Sequence, residues 1–290
     1  MASNLSGVTV SIFTRSVRSP NFRRCLSSLP SGVHTIVIEG IIDLVPDNTT
    51  IETRGSRIIV DGQSVGYVKS RAFNFSRNVN LVARLAETTW VLLLNDDCFL
   101  APFAVEEMLL TADMTGASAV SANISSLGGR LVTPKIFPGV SKLMEVHNRQ
   151  PFQYVKLVFG TCLLVRKSTL RETPWDEHFP LTEGDTDFSL RLRGSGLVQA
   201  RALRAKGIHL GSKSSESPSL QSWRVRGILY FWQKHPECRP SQLVLRLFYL
   251  IRVLTFPAVR VLIMYAPHLA GVLVSARSRV VSKRVWYGNE

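Results

Sequence analysis

An α/β fold, with a mostly parallel central sheet flanked by helices and a helical appendage at the C-terminus, is what this sequence predicts. Three observations carry that expectation. Trp90–Leu94 (WVLLL) is an unbroken apolar run, the pattern of a strand buried on both faces in a parallel sheet. Val8–Ile38 reads as strand, helix and strand within about 30 residues, a βαβ unit whose right-handed crossover makes the two strands parallel. From Gln221 the chain turns into apolar stretches punctuated by arginine.

The elements follow in order. Val8–Phe13 (VTVSIF) is β-branched and ends at Thr14-Arg15, a first strand. Pro20–Leu29 places Phe22, Leu26 and Leu29 on one side and Arg23 and Arg24 on the other, which suits a helix. His34–Ile38 (HTIVI) is the second strand, closed by Glu39-Gly40. Glu39 then projects at the same sheet edge as Thr14 and Asn95, where a carboxylate can accept hydrogen bonds from a base or ribose. Arg54–Val68 alternates polar and apolar residues around Gly55, Gly62 and Gly66 and reads as a short hairpin. Arg71–Asn80 (RAFNFSRNVN) leads into a helix at about Val79–Ala86. Arg71 and Arg77 lie near its start, where guanidinium forks and a helix N-terminus both favour diphosphate oxygens.

The central run stops at Asn95-Asp96-Asp97, in the crevice where open α/β sheets bind ligands. Strand alternation puts Asn95 and Asp97 on one side, roughly 6.5 Å apart, a good separation for holding one oxygen-loving cation beneath a diphosphate. Ala101–Thr111 is an amphipathic helix with Pro102 in its first turn, and Val120–Asn123 a further strand. Ser125–Gln153 reads as a long binding loop, and Val158–Val165 (VFGTCLLV) as another buried strand. In Trp175–Arg193 (WDEHFPLTEGDTDFSLRLR), Asp185 and Asp187 open a helix ended by Gly194 and Gly196. Acids in a first turn are commonly caps, yet Glu183, Asp185 and Asp187 together exceed what capping needs. Leu197–Ala202 is a strand, followed by Gly207-Ile208-His209.

Composition bounds the partners. At 290 residues and 45% apolar the chain has ample core for one large domain, or for a domain with an appendage. The net charge of +14 is uneven: Pro218–Glu290 holds 11 Lys/Arg against 2 acids. Either nucleic acid or an anionic membrane would answer such charge. Cys25, Cys98, Cys162 and Cys238 are far apart and form no CxxC pair, so they read as reduced core residues of a cytosolic protein. The N-terminal MASNLSGVTVSIFTR has no basic-then-apolar secretory pattern. In the C-terminal quarter no stretch reaches the 18 or so apolar residues a spanning helix wants, so interfacial amphipathic helices fit better. Packing of these helices on the first domain is the competing expectation.

Taken in sequence, these stretches resemble the inverting family 2 glycosyltransferases of the GT-A fold, in the branch of bacterial polysaccharide and rhamnosyl-type transferases. The likeness runs from about Val8 to Lys213. It rests on the order of Thr14-Arg15, VIEG, FNFSRNVN, LLLNDDC, GTCLLVRKSTL before WDEHF, TEGDTDFSLRLRGSG and His209. It implies a catalytic domain over 1–215 and a basic, membrane-associated helical region over 216–290. Donor contacts fall on Thr14, Arg15, Glu39 and Arg71, on Asn74, Arg77 and Asn78, and on Asn95 and Asp96. Asp97 and His209, supported by Asn95, hold Mg or Mn; Asp185 is the base; Trp175, Asp176 and Glu183 face the acceptor. Two departures stand out: the first acid of the metal motif is Asn95, and the usual Glu-Asp pair is Gly184-Asp185 with Glu183 displaced by one.

The implied reaction moves a sugar from a nucleoside diphosphate sugar to a glycan or polyprenyl-linked hydroxyl. It sets the protein in the cytoplasm at the inner face of a membrane, with no nucleic-acid partner and with homo-oligomerisation left open. Two rivals remain. A nucleotidyltransferase would carry a Gly-rich basic phosphate loop near the first strand, and SIFTRSVRSP has no Gly. A nucleotide-sugar or membrane-binding protein with a decayed site would account for Asn95 and Gly184.

Overall fold

The computed structural model describes residues 5–40, 56–70, 74–126, 151–211 and 218–238, with side chains of the last segment from 223 onward. A short 3₁₀ turn at Leu5–Gly7 leads into β1 (Val8–Thr14), followed by α1 (Pro20–Ser27) and β2 (His34–Gly40). Next come β3 (Ser56–Val60), β4 (Gln63–Ser70), α2 (Phe75–Leu85), β5 (Trp90–Asn95) and β6 (Cys98–Leu100). After α3 (Ala104–Thr115) the chain forms β7 (Ala119–Ser126), β8 (Phe152–Tyr154), β9 (Cys162–Arg166), α4 (Lys167–Glu172), α5 (Gly184–Gly194), β10 (Gln199–His209) and α6 (Pro218–Lys234).

The strands make one sheet in the order β3-β4-β2-β1-β5-β9-β7-β10-β6, with β8 paired to β10. The block β4-β2-β1-β5 is parallel, as the βαβ reading of Val8–Ile38 requires. Beyond it, β9 runs antiparallel to both β5 and β7, and β10 is parallel to β7. The α/β class and its central sheet therefore stand. Leu92, Leu93 and Leu94 have no exposed surface, because the sheet is covered on both faces. One face packs Val10, Ile12, Leu92 and Leu94 with α1 and α3. The other packs Leu93, Leu163 and Val165 with α2, α5 and Trp175.

The hairpin expected over Arg54–Val68 is β3–β4, turned by Asp61 (φ 48°) and Gly62 (φ 81°). Helix α2 starts four residues earlier than its apolar spacing suggests, because the Asn74 side chain accepts the Arg77 amide at 3.0 Å and caps it. Ala101–Thr111 is displaced C-terminally to Ala104–Thr115. Most of the expected loop Ser125–Gln153, and the tail beyond Cys238, lie outside the described residues. All four cysteines are buried and none is in a disulfide. The chain divides into two compact units, Met1–Ile136 with Val140–Glu237, and Phe137–Gly139 with Cys238–Glu290; α6 belongs to the first.

Candidate active site

Strand register assembles one end of the sheet. Thr14 pairs with Glu39 across β1 and β2, and Phe13 with Asn95 across β1 and β5. Glu39 is fixed there: its Oε1 accepts the Val17 amide at 3.0 Å, and its Oε2 accepts the Tyr67 hydroxyl from β4. Burial and that bond push the Tyr67 phenol up to about 12, so it stays a donor. The Thr14 hydroxyl donates to Asp96 Oδ2 at 2.7 Å, while exposed Arg15 lies close enough to favour the ionised Asp96 carboxylate. Burial and neighbouring Asp97 raise the Asp96 carboxyl above its ordinary value, against the Thr14 bond and Arg15.

Strand β5 ends at Asn95, and Asp96 and Asp97 form a turn before β6, so strand alternation does not place Asp97. Pairing with β10 places it instead. Cys98 sits opposite His209, and the Leu210 amide donates to the Asp97 carbonyl at 2.9 Å. His209 Nε2 then stands 3.1 Å from Asp97 Oδ1, with Asp97 only 5% exposed. These two side chains, distant in sequence, converge. No cluster of three or more His, Cys, Asp or Glu donors forms among the described residues. One carboxylate and one imidazole are a donor set that Mn accepts and that Mg, which prefers oxygen, accepts less readily.

Asp185 reaches the same edge from α5. Gly160 precedes β9, whose Cys162 pairs with Leu94; the Asn95 amide donates to the Thr161 carbonyl at 3.1 Å. The Gly160 amide in turn donates to Asp185 Oδ2 at 3.3 Å, and the Thr186 amide to Oδ1 at 2.9 Å. Asp185 thus sits one strand away from the Asn95-Asp96-Asp97 turn. Burial raises its carboxyl above the ordinary value in spite of these amides. Gly160 and Gly184 are dictated by the Trp175 ring: a Cβ at 160 would stand 3.2 Å from it, and one at 184 only 3.1 Å from it and 2.9 Å from Ser76 Oγ. Glu183, two residues before Asp185, takes the left-handed conformation at φ 68°.

Several residues expected at the site have other work. Trp175 is 2% exposed and packs against Phe75 and Phe188, so it is core and offers no face to an acceptor. Asn74 and Arg77 fasten the loop before α5: Asn74 Nδ2 donates to the Glu177 carbonyl at 2.9 Å, and Arg77 Nε to Glu177 Oε2 at 3.1 Å. Asn80 completes that seam, bonding both backbone groups of Trp175 at 2.8 and 2.9 Å. Asn78 is wholly buried, and neither of its amide atoms has a partner among the described residues. Arg71 lies outside the described residues.

Asp176 is bound by Tyr230, by Lys234 at 2.5 Å and by His178 at 2.8 Å. Burial opposes its ionisation, but Lys234 and the His178 donors prevail and hold the carboxyl well below its usual range. Asp187, one of the three acids that together exceed what capping needs, has no exposed surface and binds Arg191, Lys234 and His235, each at 2.8 Å. It ties α6 to α5. Tyr67 and the Gly160 amide are site groups that sequence reading passed over; the first lies in an unremarkable strand and the second is backbone.

No protein-family model matches the sequence, and no curated protein matches it. Solved structures do. Over 78% of this chain and 49% of the other, at 11% identity and a TM-score of 0.52, it is similar to GalNAc-T7 crystallised with UDP, GalNAc and Mn2+. A second similarity, to S. aureus TarS 1-349, has 12% identity, a TM-score of 0.48, and covers 70% of this chain and 60% of the other. The chain therefore spans about half to three-fifths of the structures it matches. At 11% identity the likeness to the first of these is one of fold alone, a GT-A-type fold.

Proposed function

We propose that this protein is a metal-dependent inverting glycosyltransferase, moving a sugar from a nucleoside diphosphate sugar to a hydroxyl of a lipid-linked or polysaccharide acceptor. The observation carrying this reading is the convergence at one sheet edge of Asp97 with His209 and, one strand away, of Asp185 on the Gly160 amide. Glu39, held in place by the Val17 amide and the Tyr67 hydroxyl, would supply carboxylate acceptors for the ribose or base of the donor. Asp97 and His209 would hold the divalent ion, which when bound neutralises charge developing on the leaving diphosphate. Asp185 takes the proton of the acceptor hydroxyl as its oxygen bonds to the anomeric carbon from the face opposite the departing diphosphate. Its raised proton affinity suits it to that task. The basic region 216–290 is proposed to meet anionic lipid at the inner face of the membrane; among the described residues no helix is long and apolar enough to cross one.

Hydrolysis of UDP-, GDP- and dTDP-sugars with Mn2+ or Mg2+ tests the reading. Slow turnover is expected with one donor, abolished by EDTA and lowered roughly 10²–10⁴-fold in Asp185→Ala, with nucleotide binding retained. No metal-dependent turnover with any donor would instead favour a nucleotide-sugar-binding protein.

A further inference from the structure

Among the described residues, one buried charge has no counterpart. Arg201 on β10 is 3% exposed, and its Nη2 is buried without a hydrogen-bond partner. No ion pair to it forms among the described residues, and its guanidinium lies 5.8 Å from the centre of the Phe159 ring. Burial lowers its hold on its proton, with no neighbouring carboxylate to offset the effect. A desolvated, uncompensated guanidinium costs about several kcal/mol, on the order of the penalty for any unpaired buried ion, a cost that an arriving anion would offset.

Its position suggests a use. Arg201 is in register with Ser121 of β7, Ser121 with Leu163 of β9, and Leu163 with Leu93 of β5, two residues before Asn95. The guanidinium thus starts just below the active edge and reaches Phe159, the neighbour of the Gly160 amide that binds Asp185. Ser121 Oγ, opposite it, is also buried and unpartnered. The surrounding chain is free of acid: residues 119–126, 151–166 and 195–211 contain no Asp or Glu but include Lys156, Arg201, Arg204 and Lys206.

We propose that Arg201 receives an anionic group, phosphate or carboxylate, carried by the acceptor beside the hydroxyl that reacts, so that the acceptor of this enzyme is acidic. A guanidinium fork matches both anions bidentately, which a lysine would not. That the anion belongs to an acceptor rests on the transferase reading; that an anion binds at Arg201 does not.

The test is thermal unfolding of the full chain, saturated with UDP and Mg2+ so that the donor phosphate site is filled, in constant total chloride. Inorganic phosphate, glucuronate and uncharged glucose are titrated separately. One of the two anions should raise the wild-type Tm with increasing concentration and glucose should not; phosphate as the active ligand points to a phosphorylated acceptor, glucuronate to a uronic acid. Arg201→Met should lose that response, keep the UDP–Mg2+ shift, and have an anion-free Tm equal to or above wild type, since an uncompensated charge is removed. Arg201→Gln should behave likewise. Equal anion responses in wild type and both variants, or none in wild type, would overturn the proposal, as would loss of folding in both variants. Donor hydrolysis in the same samples reports separately on the transferase reading, so the two can fail independently.

Discussion

Gly184 leaves no room for a side chain next to Asp185. A Cβ there would meet Ser76 Oγ at 2.9 Å and the Trp175 ring at 3.1 Å, and Trp175 is walled in by Phe75 and Phe188. Gly184→Ala should therefore destabilise the protein by about 1–3 kcal/mol in urea unfolding, as overpacked cores do. Asp185 itself carries a pH signature. Its folded carboxyl binds a proton more tightly than an ordinary aspartate at 3.8, so the folded form is disfavoured as pH rises from there through the raised value. Compared with Asp185→Ala, wild type should lose stability across that window. The acid limb of kcat/KM should lie above 3.8. Asp97, Asp185 and His209 were legible in the sequence because their residue types and order are distinctive. Tyr67 and the Gly160 amide were not, since their roles arise only when β4 and β9 are laid beside their neighbours.

At the scale of elements, α2 and the segment before α5 form a unit that local pattern alone does not reveal. Asn74, Arg77 and Asn80 look like phosphate-loop residues, rich in donors at a helix start, yet they bind the Trp175–Glu177 backbone and the Glu177 carboxylate. The same chemistry serves either partner, and only the fold chooses between them. Asp187 shows the converse: an acid in a first turn, grouped by the sequence with Glu183 and Asp185, that becomes a buried hub when α6 docks. Its three partners, Arg191, Lys234 and His235, would lose their shared carboxylate in Asp187→Ala. That change should cost about 3–5 kcal/mol, the range for breaking a buried ion pair, measured by denaturant unfolding. Strand positions were the most legible feature, because the apolar runs of β1, β2 and β5 match their burial. Helix boundaries were the least, being set by the Asn74 cap at α2 and by the left-handed Phe103 ahead of α3.

For the whole molecule, charge and core are distributed differently. The sheet, both hydrophobic faces and the site residues belong to the unit ending at Glu237, which also includes α6 with its Lys234 and His235 contacts to Asp187. The sequence from Cys238 onward contributes 8 Lys/Arg and 1 acid to a net charge of +14. The sequence places a change of character near Gln221, but compactness continues to Glu237, because α6 carries inward-facing Phe231 and Lys234 as well as outward-facing Val225 and Leu229. A helix with both kinds of face reads as appendage or as core until its partner, Asp187, is known. A chain cut after Glu237 should thus keep a cooperative unfolding transition and metal-dependent donor hydrolysis, since none of the groups that carry them is removed. It should lose sedimentation with vesicles of anionic phosphatidylglycerol, which the full chain should show in low salt and release as ionic strength rises and screens the attraction. Vesicle binding equal in the cut and full chains would move the membrane contact onto the catalytic unit. A cut chain unable to fold would mean that the second unit completes the first.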